Sequence, residues 1–368
     1  MTGLYIHVPF CIKKCGYCDF YSLPDKTGLI SEYVEAIKQE ACRYHRLECD
    51  TLYIGGGTPS LLGTKYLPSL LSGLYQTFDL RKETEATIEV NPDSASFDFF
   101  KTAKMKGISR ISIGVQSLIN AELKAAGRIH DAKQAANAVM EARRAGFESI
   151  SADLIIGLPG QDWRSLRFSL DSLTGLNIQH LSLYCLSIEQ DTPFATNRPQ
   201  GLPSDNVQAE LYEQSVDFLE HHGFIHYEIS NFAQPGFECQ HNLNYWRGGE
   251  YVGLGPAAAS HLKCKRYKNK ADLEAYLKNP LGQITEEETL APAEKSAEEA
   301  MLRLRLLEEG LDIDEISKRF GETNTEALTR RLVRLAAGGL LLRKGSKYRL
   351  PAEKVLVSNP ILAAVLRD

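Results

Sequence analysis

Short apolar segments alternate with longer amphipathic ones along the first 200 residues of the chain. The short segments are rich in β-branched residues and predict six strands, at residues 4–8, 51–55, 86–90, 110–115, 151–156 and 180–186. Between them, apolar residues recur at helical spacing and predict helices at residues 30–47, 61–78, 97–106, 132–145 and 163–176. Strands and helices that alternate in this way form parallel sheets with right-handed crossovers. The pattern therefore predicts an α/β fold that binds its ligand at the carboxyl ends of the strands.

The pattern changes after Pro193. A helix is predicted at residues 205–222 and a seventh strand at 225–229, and a polar, aromatic stretch follows. Residues 271–300 are charged and predict further helix, with a linker at 285–292.

The last part of the chain is predicted to form a small, mildly basic domain. A helix predicted at residues 325–337 and a hairpin around 344–347 resemble a winged helix. Residues 301–368 carry 13 Lys and Arg against 9 Asp and Glu, a net charge of +4. This charge is mild for DNA binding, so we expect a packing or docking module. The chain is thus expected to have three parts: a core (1–200), an extension of that core (201–285) and a small helical, winged-helix-like domain (286–368).

The composition is that of an ordinary globular protein, with 43% hydrophobic and 24% charged residues among 368. A net charge of −5 argues against a general nucleic-acid binder. Eight cysteines are too few for a disulfide framework in this length, so we expect reduced thiols in a cytoplasmic protein. The first residues read as a strand rather than a secretory signal, and no stretch approaches ~18 consecutive apolar residues, so we expect no membrane span.

Three of the cysteines, Cys11, Cys15 and Cys18, fall within eight residues. Thiolates are strong ligands for soft metals, and three on one short loop can converge on one site. The loop lacks a fourth cysteine, and catalytic metal sites tend to leave one position open. A zinc knuckle and reduced core thiols are alternative interpretations. The pattern favours an iron–sulfur cluster with one iron open to a ligand.

Polar groups stand where several predicted strands end. A glycine-rich turn at residues 55–59 follows the second strand, Glu89 ends the third and Gln116 the fourth. Arg128 lies in the next turn, and Asp153 sits in an apolar strand, where it is costly unless paired or ligand-bound. Any one of these is more often structural than functional. Together they indicate a ring of polar groups around one ligand.

The motifs at these positions resemble the radical S-adenosylmethionine (SAM) superfamily. They are Cys-x3-Cys-x2-Cys after the first strand, Gly-Gly-Gly-Thr-Pro after the second and Glu-x-Asn-Pro after the third. Within that superfamily the chain resembles the branch of anaerobic coproporphyrinogen III oxidase, also called the dehydrogenase, through residues 4–18, 112–117, 153–160 and 181–189. The resemblance covers nearly the whole chain. It implies a partial (βα)6 barrel with extra strands, plus the small C-terminal domain.

The resemblance also implies the cofactors. Cys11, Cys15 and Cys18 would hold a 4Fe–4S cluster, and SAM would bind its open iron. One electron from the reduced cluster would then cleave SAM to a 5′-deoxyadenosyl radical. Four residues would contact SAM by this resemblance: Tyr5, Gly56, Thr58 and Glu89. Six more would line the same cavity, for the same SAM or for a second one: Tyr17, Gly57, Gln116, Arg128, Asp153 and Ser187.

Two subgroups of the branch differ at features that this chain displays. The dehydrogenase carries another cysteine two residues after the cluster triplet and a long N-terminal extension, whereas this chain has Phe20 at that position and Cys11 close to its start. The second subgroup consists of heme chaperones and carries His-Asn-x-x-Tyr-Trp. This chain has that motif as His241, Asn242, Tyr245 and Trp246.

The chemistry of this motif suits heme. An imidazole can ligate heme iron, and Tyr245 and Trp246 offer flat apolar faces to a porphyrin. Spacing alone favours a polar turn in which His241 caps a backbone carbonyl. The resemblance favours heme binding, with His241 as the expected axial ligand. Four further candidates lie nearby in sequence: His222, His226, Cys239 and His261.

We therefore expect a heme chaperone that binds heme, a 4Fe–4S cluster and SAM, and passes heme to recipient proteins. Membrane-associated respiratory enzymes are candidate recipients, and a homodimer is a candidate assembly. The rival hypothesis is an enzyme, the oxygen-independent coproporphyrinogen III dehydrogenase, which decarboxylates its substrate oxidatively to protoporphyrinogen IX. A DNA-binding regulator is a third hypothesis, with only the mild C-terminal charge in its favour.

Overall fold

A 12-stranded sheet forms the centre of the computed structural model, which describes residues 1–366 and, for residues 81–84, the backbone alone. The strands are β1 (Thr2–Val8), β2 (Phe10–Cys11), β3 (Leu23–Pro24), β4 (Glu48–Gly56), β5 (Asp79–Val90), β6 (Arg110–Gln116), β7 (Ser149–Ile156), β8 (His180–Cys185), β9 (Ile225–Glu228), β10 (Asn231–Ala233), β11 (Glu250–Leu254), β12 (Ala259–Leu262), β13 (Lys265–Asn269), β14 (Ile284–Thr289), β15 (Leu311–Asp312), β16 (Leu342–Lys344) and β17 (Lys347–Arg349).

Helices flank the sheet and build the C-terminal part. They are α1 (Ile30–Ala41), α2 (Gly63–Thr77), α3 (Phe97–Met105), α4 (Asn120–Ala125), α5 (Ala132–Arg144), α6 (Trp163–Gly175), α7 (Pro193–Thr196), α8 (Asp205–His221), α9 (Gln240–Trp246), α10 (Leu273–Lys278), α11 (Pro292–Arg303), α12 (Ile313–Phe320), α13 (Glu322–Ala337) and α14 (Ser358–Leu366). Among the residues that the structure describes, no helix is both long and apolar enough to cross a membrane.

Six parallel strands lie side by side in the order β1-β4-β5-β6-β7-β8, which confirms the predicted α/β fold. Each of the six contains or closely matches a strand expected from the sequence, and the connecting helices stand where helical spacing placed them. Their carboxyl ends share one edge of the sheet. The polar residues that follow these strands therefore face a common space.

The sheet continues beyond the parallel strands on both sides and stays open. β11 pairs parallel with β1 and leads into antiparallel β12, β13 and β14, while β10 and β9 extend the other side. The helix and linker predicted across residues 271–300 are wrong between 284 and 289, where β14 forms. All six residues of β14 are exposed, and its sequence does not alternate apolar and polar residues. The pattern that predicts a strand is therefore missing here. Cross-strand charge pairing stabilises it instead, as in Lys265–Glu287 at 2.8 Å.

Helices α11 to α14 and the small sheet β15-β17-β16 form the C-terminal part. The helix and hairpin predicted there are confirmed as α13 and the β16–β17 pair. Leu328, Leu332 and Leu335 of α13 are buried on one face, as their spacing predicts. The last two residues of the predicted domain, 367–368, lie outside the described residues.

Candidate metal centre and adjoining cavities

The cysteine loop is fixed at both ends and in the middle. β2 pairs with β3 and closes the loop, so that its start and finish lie together. In the middle, the Gly16 N–H donates to the Ala126 carbonyl at 3.1 Å, and the Phe194 N–H donates to the Gly16 carbonyl at 2.8 Å. A Cβ on Gly16 would lie 2.0 Å from the Phe194 ring, so only glycine fits there. These contacts hold the loop over the carboxyl ends of the strands.

A cavity of about 310 Å³ lies under this loop, and all three cysteines line it. Eight of the ten residues expected around SAM line the same cavity: Tyr17, Gly56, Gly57, Glu89, Gln116, Arg128, Asp153 and Ser187. The other two stand elsewhere. Thr58 is buried behind the cavity wall, and Tyr5 lines a second, larger cavity.

A chain of hydrogen bonds links two of the three thiols. Thr58 Oγ1 lies 3.2 Å from Cys11 Sγ and accepts a hydrogen bond from Asn91 Nδ2 at 2.9 Å. Asn91 Oδ1 accepts in turn from Arg128 Nη2 at 3.0 Å, and Arg128 Nη1 donates to Cys15 Sγ at 3.5 Å. Hydrogen bonds to the sulfurs are a common feature around iron–sulfur clusters. Three thiols on one loop that line one cavity fit such a cluster.

Two carboxyl groups, Glu89 and Asp153, face the same cavity. Tyr53 Oη donates to Glu89 Oε1 at 2.8 Å, and the Gly56 N–H donates to Oε2 at 3.1 Å. Burial raises the pKa of Glu89 to about 7 and that of Asp153 to about 6. A cationic ligand beside them would favour their ionised forms, because it compensates the cost of a buried negative charge. The pair thus fits a ligand with an ammonium or sulfonium group, as SAM has.

Two further features of the cavity fit a polar ligand. Gln116, at the end of β6, has a φ of +66°, a left-handed backbone conformation that is uncommon for residues other than glycine and frequent at binding sites. Ser22 Oγ also belongs to the lining and is buried with no hydrogen-bond partner among the described residues. Buried polar atoms are usually satisfied, so an orphaned one favours a bound partner.

A second cavity, of about 940 Å³, lies beside the first, and Phe20 of the cysteine loop lines both. Tyr245 and Trp246, two of the four residues expected to bind heme, form part of its wall, together with Tyr5. The Phe20 side chain stands between the two cavities. It is 61% exposed, so it is not tightly packed there.

The other two residues of the motif are not in this wall. His241 is 1% exposed, with Nδ1 2.8 Å from Thr51 Oγ1 and Nε2 2.9 Å from Tyr245 Oη. Its ring stacks on Tyr53 with centroids 5.1 Å apart, and burial lowers the pKa of His241 to about 3. Asn242 lines a small internal cavity of about 50 Å³. The structure thus satisfies both imidazole nitrogens of His241 inside the protein.

Comparison with known proteins agrees with this architecture. Residues 5–173 match the family model of the Radical SAM superfamily, and residues 290–357 match that of the HemN C-terminal domain. Over 344 residues the chain is 36% identical to the heme chaperone HemW of Lactococcus lactis subsp. lactis (strain IL1403), covering 90% of each chain. It is 33% identical to the heme chaperone HemW of Bacillus subtilis (strain 168) over the full length of both. The chain belongs to the HemW family.

A solved structure shows how far the fold extends beyond HemW. Coproporphyrinogen III oxidase (HemN) from Escherichia coli superposes with a TM-score of 0.86, covering 99% of this chain and 89% of that one. Its sequence identity is 23%, so this likeness speaks for the fold alone. The two proteins share a framework, including the radical SAM core and the C-terminal helical domain.

Sequence reasoning about this HemW-family chain missed several lining residues. It noted Asn91 only as part of a motif, although Asn91 stands two residues beyond Glu89 and so on the same side of the chain. Ser112 and Tyr184 also line the first cavity. Polar residues at alternate positions of β6, β7 and β8 were the available signal, since one face of these strands turns inward.

Proposed function

We propose that this chain is a heme chaperone that carries a 4Fe–4S cluster with SAM and delivers heme to recipient proteins. The observation that carries the proposal is the similarity to heme chaperones HemW over 90% to 100% of the chain. The second cavity supports it, because about 940 Å³ lies at the upper end of the range of small-molecule and cofactor pockets and leaves room for a large ligand.

The first cavity would hold the cluster and SAM. Cys11, Cys15 and Cys18 would bind the cluster and leave one iron to SAM, which accounts for the missing fourth cysteine. When bound, this pair supplies one-electron chemistry at the sulfonium. Within the chain, the carboxylates of Glu89 and Asp153 would face the cationic groups of SAM, and the cysteine loop would keep bulk water from them.

The segment from His241 to Trp246 would contribute to the heme site through its aromatic side chains. Tyr245 and Trp246 face the second cavity, and aromatic faces stack well on a flat apolar macrocycle. We propose further that the protein works in the cytoplasm, that membrane-associated respiratory enzymes are among its recipients and that it acts as a homodimer. The family resemblance of the sequence supports these three points. It also supports a division into parts at 1–200, 201–285 and 286–368.

The rival function is the oxygen-independent coproporphyrinogen III dehydrogenase, since the fold is shared with coproporphyrinogen III oxidase (HemN). Phe20 counts against it, because by family resemblance the dehydrogenase has another cysteine at that position. The two functions demand different chemistry of the same molecule. One binds and releases heme unchanged, and the other consumes a porphyrinogen.

The test uses the full chain, reconstituted anaerobically. We expect about four irons per chain, few irons in a Cys15→Ala variant, and a Soret shift on titration with ferric heme. Coproporphyrinogen III incubated with the same protein, SAM and a reductant should remain unchanged. Turnover of coproporphyrinogen without heme uptake would overturn the proposal and establish the dehydrogenase.

A further inference from the structure

The second cavity is built by segments that are distant in the sequence. The helix α9 supplies Tyr245 and Trp246, the antiparallel strands β11 to β13 supply Tyr251 and His261, and the cysteine loop supplies its near side. Tyr245 and Tyr251 meet edge to face, with ring centroids 4.6 Å apart and planes at 83°. These rings give the cavity a rigid aromatic wall.

Cations gather at the rim of this wall. Arg266 and Lys268 are two residues apart on β13 and so point to the same face, and Lys14 approaches from the cysteine loop. Among the described residues, neither Lys14 nor Lys268 has a carboxylate within ion-pair distance, while Arg266 contacts Glu298 and lies 3.9 Å from Glu288. Three acidic residues also line the cavity: Asp19, Asp191 and Glu298. Two unpaired ammonium groups thus remain available to an anionic ligand.

One imidazole in this cavity has a partner that it can give up. His261 Nε2 lies 2.6 Å from the Nζ of Lys295, which also lies 3.5 Å from Glu298 Oε2. His261 is 4% exposed, and burial and the neighbouring Lys295 lower its pKa to about 4, while the backbone of Gly249 hydrogen-bonds to it. Its Nε2 would be open to another partner if Lys295 paired with Glu298 alone.

The other histidines near this cavity are committed to the fold. His7 also lines the cavity, but its Nε2 lies 2.8 Å from the Tyr21 carbonyl oxygen, which requires a protonated nitrogen, and its Nδ1 lies 3.1 Å from Tyr5 Oη. His241 is held by Thr51 and Tyr245. Ligation through either would break contacts that organise β1 or α9.

We propose that heme lies in the second cavity, with His261 as its axial ligand and with Arg266, Lys268 and Lys14 facing its propionates. This inference rests on the proposed function and specifies its site. A heme is a flat apolar ring with two carboxylates at one edge and an iron that takes imidazole, and the cavity presents aromatic walls, rim cations and one releasable imidazole. The motif at residues 241–246 then acts through Tyr245 and Trp246, and His241 positions Tyr245.

The axial ligand is tested with a matched pair of substitutions in the full chain, His261→Gln and His241→Gln. Glutamine preserves hydrogen bonding at each site and removes the imidazole. Titration with ferric heme should give His261→Gln a shifted Soret band and about tenfold weaker binding, with the spectrum restored by added imidazole. His241→Gln should keep the spectrum of an imidazole-ligated heme. The opposite pattern would overturn the assignment.

The propionate contacts are tested with metal-free protoporphyrin IX, whose fluorescence reports binding without ligation. Arg266→Gln with Lys268→Gln should weaken binding about tenfold, whereas His261→Gln should leave it unchanged. Lys265→Gln is the matched control, because Lys265 lies on the same strand, points to the other face and pairs with Glu287. Equal loss in the control and the double variant would overturn the rim contacts.

The two proposals fail differently. If the unsubstituted chain takes up no heme, the proposed function is wrong. If it takes up heme and His261→Gln binds it with an unchanged spectrum, only the location of heme at His261 is wrong.

Discussion

Arg128 Nη1 lies 3.5 Å from Cys15 Sγ, and the same guanidinium donates through Nη2 to the Gly114 carbonyl at 2.9 Å. Arg128 is thus held by the end of β6 while it presents positive charge to a thiol of the cysteine loop. A fixed cation near a cluster sulfur stabilises the more negative, reduced cluster. The strand ends would therefore influence a cluster held by the cysteine loop, in addition to shaping the cavity.

Arg128→Gln should lower the reduction potential of the reconstituted cluster. Loss of one charge-assisted hydrogen bond is worth ~1.4 kcal/mol, which corresponds to about 60 mV for a one-electron couple. A redox titration followed by electron paramagnetic resonance measures the shift. Arg349→Gln, at an exposed arginine of β17 in the C-terminal part, is the control and should leave the potential unchanged. An unchanged potential in Arg128→Gln would refute the electrostatic role.

Glu89→Gln should alter how the stability of the cofactor-free protein depends on pH. Burial raises the pKa of Glu89 from 4.5 to about 7, so between these values the folded state holds more protons than the unfolded chain. Stability must therefore fall as pH rises through this window. The variant lacks this loss and should be more stable than the unsubstituted protein at pH 8, by about 1–2 kcal/mol after allowing for water in the cavity.

Urea denaturation at pH 5 and pH 8 measures this difference. Glu210→Gln, at an exposed position of α8, serves as the control and should follow the unsubstituted protein at both values. A Glu89→Gln variant that loses as much stability between pH 5 and pH 8 as the unsubstituted chain would show that Glu89 is already ionised in the fold.

The parallel core could be predicted because each of its strands is marked by a short stretch of neighbouring residues. Each strand is a short β-branched run, and the residue that ends it, such as Glu89 or Gln116, lies at the shared edge by the geometry of parallel sheets. The second cavity could not be predicted in this way. It depends on the long-range antiparallel pairing of β11, β12 and β13. The next strand of that sheet, β14, has exposed residues throughout, so nothing in its periodicity distinguishes it from a charged helix.

The position of His241 shows a second limit of sequence reasoning. The motif marks His241 as a candidate heme ligand. One of the two groups that hydrogen-bond to its ring is Thr51, which is 190 residues away in the sequence. Contacts at such separation are set by the register of β4 against its neighbours rather than by local sequence. A histidine with both nitrogens satisfied inside the protein and a histidine that offers one to iron look the same in the sequence.

Glu40→Ala should destabilise the protein by about 3 kcal/mol. The Glu40 carboxylate is 1% exposed and accepts hydrogen bonds from the Gly255 N–H at 2.8 Å, from Tyr276 Oη at 2.7 Å and from Asn269 Nδ2 at 2.6 Å. It thus joins α1 to the start of the antiparallel strands. Removal leaves three buried donors without their acceptor, and each carries a desolvation cost.

Chemical denaturation of the cofactor-free chain measures this loss. Glu35→Ala on the same helix is a suitable control, because Glu35 is exposed and pairs with Lys38 on the helix surface, and it should change stability by less than about 0.5 kcal/mol. Equal effects of the two substitutions would contradict a structural role for Glu40.

Thr51→Val should destabilise the fold by about 1–2 kcal/mol without changing the ligation of bound heme. Valine has nearly the shape of threonine, so the substitution removes the 2.8 Å contact to His241 Nδ1 and little else. Burial lowers the pKa of His241 to about 3, so the imidazole stays neutral near neutral pH. Protonation therefore does not compensate for the lost hydrogen bond. Urea denaturation measures the loss, with Thr289→Val on the exposed strand β14 as the control.

The same variant distinguishes the two roles open to His241. If His241 serves the fold, Thr51→Val lowers stability while the Soret band of the heme complex stays in place. If His241 ligates the iron, freeing its Nδ1 changes the orientation and basicity of the ligand, and the Soret band moves. A shifted band in Thr51→Val, absent in Thr289→Val, would return the axial role to His241.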